Sequence, residues 1–420
     1  MLVIHNGTVL TMDENCPPFT NGAIAIDGES IIATGPCETI LMQYSGAELL
    51  DAHGGIIMPG LVNMRMQSRA LMRPAGTRGS TQLAFDKRLN LDTVKYGAYA
   101  AALQCIRNGV TTVFDSAFVP NDPAGTLQTM YAAYGETGVR CCLSFETSEL
   151  PGSARMRAAS DENVDFIRYC GYYKNPSVAA SFGIGPVSEQ SDFALHLIRA
   201  AAPADSGFTV RLNAKTGNDP VNKESAVERL AEFGLLNDKT IICACGETTP
   251  DDVELIRSNG ASIALASAAD VSVGVPCLST EELCNKSVNV FIGTGTASSD
   301  MLEAVRNEEF YSSVRGHCST GAGVKALLKE NPSFAGRLFN CRMGSLAPGA
   351  SADVIVLDAG AQCCNDADSI IDMLTRFASG RACIHTVSRG RILMKDRKIL
   401  SVDETRLSKE IAAARRGISR

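Results

Sequence analysis

Apolar and polar positions alternate in short runs at both ends of this chain, and in the middle they give way to apolar blocks separated by helical patterns. Leu2-Val3-Ile4, Thr8-Val9-Leu10, Ala23-Ile24-Ala25-Ile26 and Ser30-Ile31-Ile32-Ala33 read as strands, with Asp27-Gly28 turning the last two into a hairpin. The far end has the same texture: Val354-Ile355-Val356-Leu357, then Ile384-His385-Thr386-Val387 and Arg391-Ile392-Leu393, closed by a helix over 404–416. Because both ends are strand-rich, residues 1–56 and 346–420 are expected to pair into one composite β-sandwich domain.

Between them, over 57–345, apolar blocks alternate with helical periods such as 92–107, 251–258 and 301–306. The run Ile56-Ile57-Met58 meets Pro59-Gly60 and leaves as Leu61-Val62-Asn63, a break followed by the first buried strand. Further strands are expected at 110–115, 139–145, 179–184, 208–212, 240–244, 262–265 and 288–292. Eight strands alternating with helices predict an α/β fold, a (β/α)8 TIM-like barrel with its site at the strands' C-terminal ends.

Composition narrows the function. A net charge of −7 without a basic run argues against nucleic acid, and no apolar run is long enough to span a membrane. The start lacks a positively charged leader, so the cytoplasm is expected. The 15 cysteines include adjacent pairs, Cys141-Cys142 and Cys363-Cys364, and read as buried reduced thiols rather than a disulfide framework.

Several motifs resemble those of the metal-dependent amidohydrolase superfamily. They are Pro59-Gly60-Leu61-Val62-Asn63, Gly109-Val110-Thr111-Thr112-Val113-Phe114-Asp115, Ala297-Ser298-Ser299-Asp300-Met301 and Gly344-Ser345-Leu346 with Pro348-Gly349-Ala350. Ser144-Phe145-Glu146-Thr147 and Leu393-Met394-Lys395-Asp396-Arg397 are similar to the branch containing aminohydrolases, chlorohydrolases and guanine and cytosine deaminases. The resemblance implies the barrel, the split β domain and frequent homodimers. It also implies zinc or iron held by two histidines on the first barrel strand, one on the fifth and an aspartate on the eighth. A glutamate on the fifth strand and a histidine on the sixth would move protons.

At those positions this chain differs. Arg65 and Gln67 stand at the first two histidines, Arg211 at the third and Ala214 at the glutamate. Ala244 stands at the sixth-strand histidine and Gly295 at the aspartate. The five histidines, His5, His53, His196, His317 and His385, match none of these positions. Guanidiniums cannot ligate a cation and repel one. The expectation is therefore that the family's zinc or iron is absent, that no catalytic residue remains, and that the chain is a pseudoenzyme with a structural or regulatory role.

Arg65 and Arg211 in a barrel mouth must be paired or must bind an anion. Glu146, Asp115, Asp270 and Asp300 are the carboxylates available for an internal network; alternatively Arg65, Arg211, Glu146 and Asp300 bind a small anion. A second alternative is a hydrolase acting on non-peptide C–N bonds by a divergent mechanism. Cys243 and Cys245 are expected to face the helical layer, Lys215 reads as an exposed loop residue, and Gly293-Thr294-Gly295-Thr296 could present backbone N–H groups to an anion. The segments from Gln67 to Asp92 and from Ala214 to Ser225 read as shortened lids. A homodimer or a place in a larger assembly is expected.

Overall fold

The computed structural model describes residues 1–74, 85–121, 123–149, 152–212, 225–243, 248–275, 278–317, 321–358, 367–376 and 378–419. The first strands are β1 (Leu2–Val9), β2 (Phe19–Asp27), β3 (Ser30–Pro36), β4 (Glu48–Asp51) and β5 (Ile56–Pro59). Next come β6 (Leu61–Met66), β7 (Val110–Ala117), β8 (Arg140–Phe145), β9 (Val178–Ala180) and β10 (Phe182–Ile184). They are followed by β11 (Phe208–Arg211), β12 (Ile241–Cys243), β13 (Ser262–Leu265) and β14 (Asn289–Ile292). The last are β15 (Val354–Leu357), β16 (Cys383–Ser388), β17 (Arg391–Lys395) and β18 (Lys398–Ile399).

The two ends of the chain meet in one continuous sheet, ordered β18-β17-β16-β15-β5-β1-β2-β3, with β4 also on β1. The join is β5, which runs parallel to β1 and antiparallel to β15 with Ile57 opposite Val356. Alternation turns Ile4, Ile24, Val354, Val356 and Val387 onto one buried face. The chain passes from this sheet into the barrel at Gly60, between β5 and β6.

The barrel strands are parallel: β6 to β9 form one ladder and β10 to β14 the other. The fourth strand, expected as one run, breaks at Ser181. Its first half pairs with β8 and its second with β11. A buried amide takes over at each seam, because backbone groups there need partners that the ladder does not supply. Asn163 accepts from Phe145 N–H at 2.9 Å and Gly183 N–H at 3.2 Å, and donates to Phe145 C=O at 2.8 Å. Asn331 accepts from Ile292 N–H at 3.0 Å and donates to Val62 C=O at 2.9 Å, joining β14 to β6. Higher up that seam, Thr294 and Gly295 N–H donate to Arg65 C=O at 3.0 and 2.8 Å. Gly293 permits the approach: a Cβ there would lie 2.5 Å from the Arg65 backbone nitrogen.

Val62, Met64, Phe114 and Phe291 fill the lumen, and the helix Asn331–Phe339 plugs one end with Phe334 and Phe339. Phe334 packs 4.9 Å from Phe291 and 6.2 Å from Phe114, centroid to centroid. Polar chemistry is therefore left to the mouth. Barrel and sheet are tied by Arg140, buried at the start of β8, which donates to Asp353 at 3.0 Å. No helix of the described residues is long and apolar enough to cross a membrane.

Candidate active site at the barrel mouth

Arg65 lies near the end of β6, Gln67 just past it, and a 3-10 turn, Ser68–Met72, follows at once. Arg65 forms a two-pronged ion pair with Asp270, just beyond β13, with both N···O distances 2.6 Å. Behind it, Glu308 accepts hydrogen bonds from Ser267 N–H at 2.8 Å and Ser267 Oγ at 2.7 Å. Burial pushes the Glu308 carboxyl up to about 7, against the pull of the Ser267 hydrogen bonds.

Across the mouth, Glu146 lies just past the end of β8 with its side chain only 3% exposed. Arg211 Nη2 donates to one carboxylate oxygen at 3.0 Å, and Gln67 Nε2 donates to the other at 3.1 Å. Arg69 reaches the same carboxylate at 3.7 Å and lies over the Phe118 ring. Arg65, Gln67, Ser116, Glu146, Thr209, Arg211 and Cys243 line a cavity of about 10 Å³, room for about one water.

Of the residues singled out in the sequence, Arg65, Gln67, Arg211, Glu146 and Gly295 therefore converge here. Gly295 has a left-handed φ of 58°, and a Cβ on it would meet Ala269 at 2.7 Å, so a larger residue is sterically opposed. Asp300 does not join them: it caps the helix Met301–Val314 through Leu302 and Glu303 N–H, both 3.1 Å, and accepts from Gly380 N–H. Asp115 is engaged by Ser68 N–H and the Tyr134 hydroxyl, and burial raises its carboxyl. Ala214, Lys215, Ala244, Cys245 and parts of both lid segments lie outside the described residues. Cys243 faces the lumen with Ile241, while Ile242 packs outward, which corrects the expected orientation. Burial pushes its thiol up to about 11, so it stays protonated at neutral pH.

Three groups went unnoticed in the sequence. Arg69 lies in the 3-10 turn Ser68–Met72 that follows β6, and Arg73 comes directly after that turn. Asp86 is buried among these charges; desolvation raises its carboxyl while Arg69 and Arg73 pull it back down.

The family's divalent ion does not fit the described side chains of this mouth. Arg65 and Arg211 offer no lone pair, Gly295 offers no donor, and no trio of His, Cys, Asp or Glu converges there among the described residues. The trio that does converge, His53, His385 and Asp396, belongs to the terminal sheet. There His385 Nδ1 accepts the Asp396 N–H at 3.1 Å and Nε2 donates to Asp51 C=O at 2.8 Å. Both ring nitrogens are thereby taken, and the cluster is a hydrogen-bonded joint.

A 5-methylthioadenosine/S-adenosylhomocysteine deaminase of Pelotomaculum thermopropionicum is 26% identical to this chain, over 97% of it and 96% of the relative. An adenosine deaminase from Xanthomonas campestris, solved with bound zinc, superposes with a TM-score of 0.86 at 18% identity, covering 100% and 98% of the two chains. An atrazine chlorohydrolase from Arthrobacter aurescens, complexed with zinc, gives 0.82 at 18% identity over 99% and 100%.

These findings overturn the expectation of a metal-free pseudoenzyme. The relative that spans nearly the whole chain is a deaminase, and both structural neighbours are zinc-bound enzymes. The expectation equated each replaced ligand with lost chemistry. Hydrolysis requires a water, a proton carrier and charge stabilisation, and a barrel mouth can draw these from any of its strands. An amidohydrolase family model matches residues 56–393, and this chain belongs to that family.

Proposed function

We propose that the protein is an aminohydrolase that cleaves the exocyclic C–N bond of an amidine carbon in a purine-like heterocycle. The observation that carries this reading is Glu146: a buried carboxylate at the mouth, oriented by Arg211 and Gln67, beside a space the size of one water. The deaminase relative supports the substrate class. Water adds to the ring carbon and gives one proton to Glu146, which passes it to the leaving nitrogen. The C–N bond then breaks, ammonia departs, and the added hydroxyl gives its proton to the adjacent ring nitrogen, leaving a ring carbonyl. Arg211 keeps the carboxylate fixed and offsets the negative charge that develops as the water is deprotonated. A protein of this kind is proposed to work in the cytoplasm, where the free described thiols stay reduced, as a homodimer or within a larger assembly, which sedimentation velocity would register.

The test is ammonia release from adenosine- and guanine-type substrates. Glu146→Gln is expected to lower turnover by about 10²–10⁴-fold while Tm and the circular dichroism spectrum hold. Equal turnover by wild type and Glu146→Gln would reject the assignment.

A further inference from the structure

Buried arginine N–H groups are seldom left without acceptors, because each one removed from water loses hydrogen bonds it must regain. The mouth breaks this rule in one place. Arg69 is 8% exposed, yet its Nε and Nη1 meet no acceptor among the described residues; only Nη2 reaches Gln67 at 3.5 Å and Glu146 at 3.7 Å. Arg73 Nε and Arg211 Nε are likewise buried without an acceptor. Against these four donors, the one buried orphan carboxylate oxygen among the described residues of the mouth is Asp86 Oδ1. Even if Asp86 swung to meet one of them, donors would remain in excess. The nearby Asp115 is already engaged, one oxygen by Ser68 N–H and the other by the Tyr134 hydroxyl. The contrast with Arg65, whose guanidinium grips Asp270 with two nitrogens, shows that the fold can satisfy an arginine here when it supplies a carboxylate.

We propose that Arg69, Arg73 and Arg211 form a subsite for a small oxyanion, the carboxylate or phosphate substituent of the ligand that enters this mouth. An oxyanion offers several lone pairs to separate N–H donors, and charge-assisted bonds to guanidinium are the strong class. The inference rests on the aminohydrolase reading for its place beside the reacting atoms: Arg211 belongs both to the Glu146 pair and to the subsite, so the anion would sit one side chain from the proton carrier. The substrate class sharpens accordingly, from a neutral heterocycle to one bearing an acidic substituent.

The experiment is calorimetric and thermal-shift titration of the full-length protein with inorganic phosphate and, separately, acetate, at constant ionic strength. Saturable binding of either anion is expected. Phosphate alone would assign a phosphate substituent, and acetate alone a carboxylate. Arg69→Met should weaken that binding about tenfold or more, a loss typical of removing one charge-assisted contact. Should Arg69→Met fail to fold, Arg73→Gln serves the same purpose from the edge of the cluster. Absence of saturable binding by both anions, or unchanged affinity in the folded variants, overturns the subsite. Because the readout is binding, a negative result is separate from loss of ammonia release, which bears on the aminohydrolase reading alone.

Discussion

The two sides of the barrel mouth use the same residue type in opposite ways. On the side of β6 and β13, Arg65 and Asp270 close on each other through two short bonds, with side chains 10% and 7% exposed. On the side of β8 and β11, Arg69 and Arg211 share one carboxylate, Glu146, and keep donors that nothing among the described residues accepts. The closed pair is self-sufficient and reads as architecture. Arg65 and Arg211 both line the water-sized space, but only the open cluster is under-satisfied, which is the state expected of groups that act on a ligand. Charge content alone does not separate the two; unmet hydrogen-bonding capacity does.

The largest effect expected from breaking this contrast is on the closed side. Asp270→Ala removes the carboxylate that Arg65 holds with two nitrogens and should cost about 3–5 kcal/mol in urea unfolding, as loss of one partner of a buried pair does. A loss below about 1 kcal/mol would mean the pair is no more structural than the cluster opposite. Replacing both residues by leucine should recover much of the loss, because the buried charge goes with its partner.

Next in size is a pH effect from Glu308 behind that pair. Its folded-state pKa lies near 7 against 4.5 for the ordinary carboxyl, so between these values the unfolded chain has given up a proton that the folded chain retains. Stability should therefore fall as pH rises from about 4.5 to about 7, by an amount on the order of 3 kcal/mol if no other group compensates. Glu308→Gln keeps an acceptor for Ser267 N–H and should flatten Tm across that range; an unchanged slope would show that Glu308 does not titrate there.

The smallest effect belongs to the open side. Asp86→Asn removes charge from a carboxyl that already carries an orphan oxygen and whose burial penalty Arg69 and Arg73 only partly offset. A change of roughly 1 kcal/mol or less is expected by the same unfolding measurement. A cost as large as that of Asp270→Ala would erase the distinction between the two sides.

Much of the fold could be read from the sequence, because apolar blocks bounded by Gly, Pro and Asp mark each barrel strand and alternation marks the sheet. The broken fourth strand could not. Ser181 suits an extended run, and the break comes from Asn163, on a helix of the same barrel, meeting Phe145 and Gly183. The site was legible as to positions and not as to partners. Arg65 finds its carboxylate 205 residues away, and Arg211 finds Glu146 at a separation of 65. Such pairings depend on how β6, β8, β11 and the segment after β13 are placed around the mouth, which no local pattern encodes. Asp300 shows the reverse error: it was expected to pair with the arginines or help bind an anion, whereas an aspartate before a helix most often serves the first N–H groups of that helix. Cys243 was misplaced because its face was inferred from Ala244 rather than from the alternation of Ile241, Ile242 and Cys243.

The terminal sheet has a consequence for the order of assembly. Its joining strand, β5, is synthesised before the barrel, but β15, its antiparallel neighbour, emerges about three hundred residues later. Until then one long edge of β5 has no ladder, and its apolar residues await Val354 and Val356. Contacts of such sequence separation form slowly, and unpaired apolar edges invite association between chains. The barrel can complete its own ladders during this interval, because β6 and β14 meet without help from the last seventy residues. A chain cut after residue 345 should accordingly retain barrel secondary structure yet self-associate through β5, the edge that the far end normally covers.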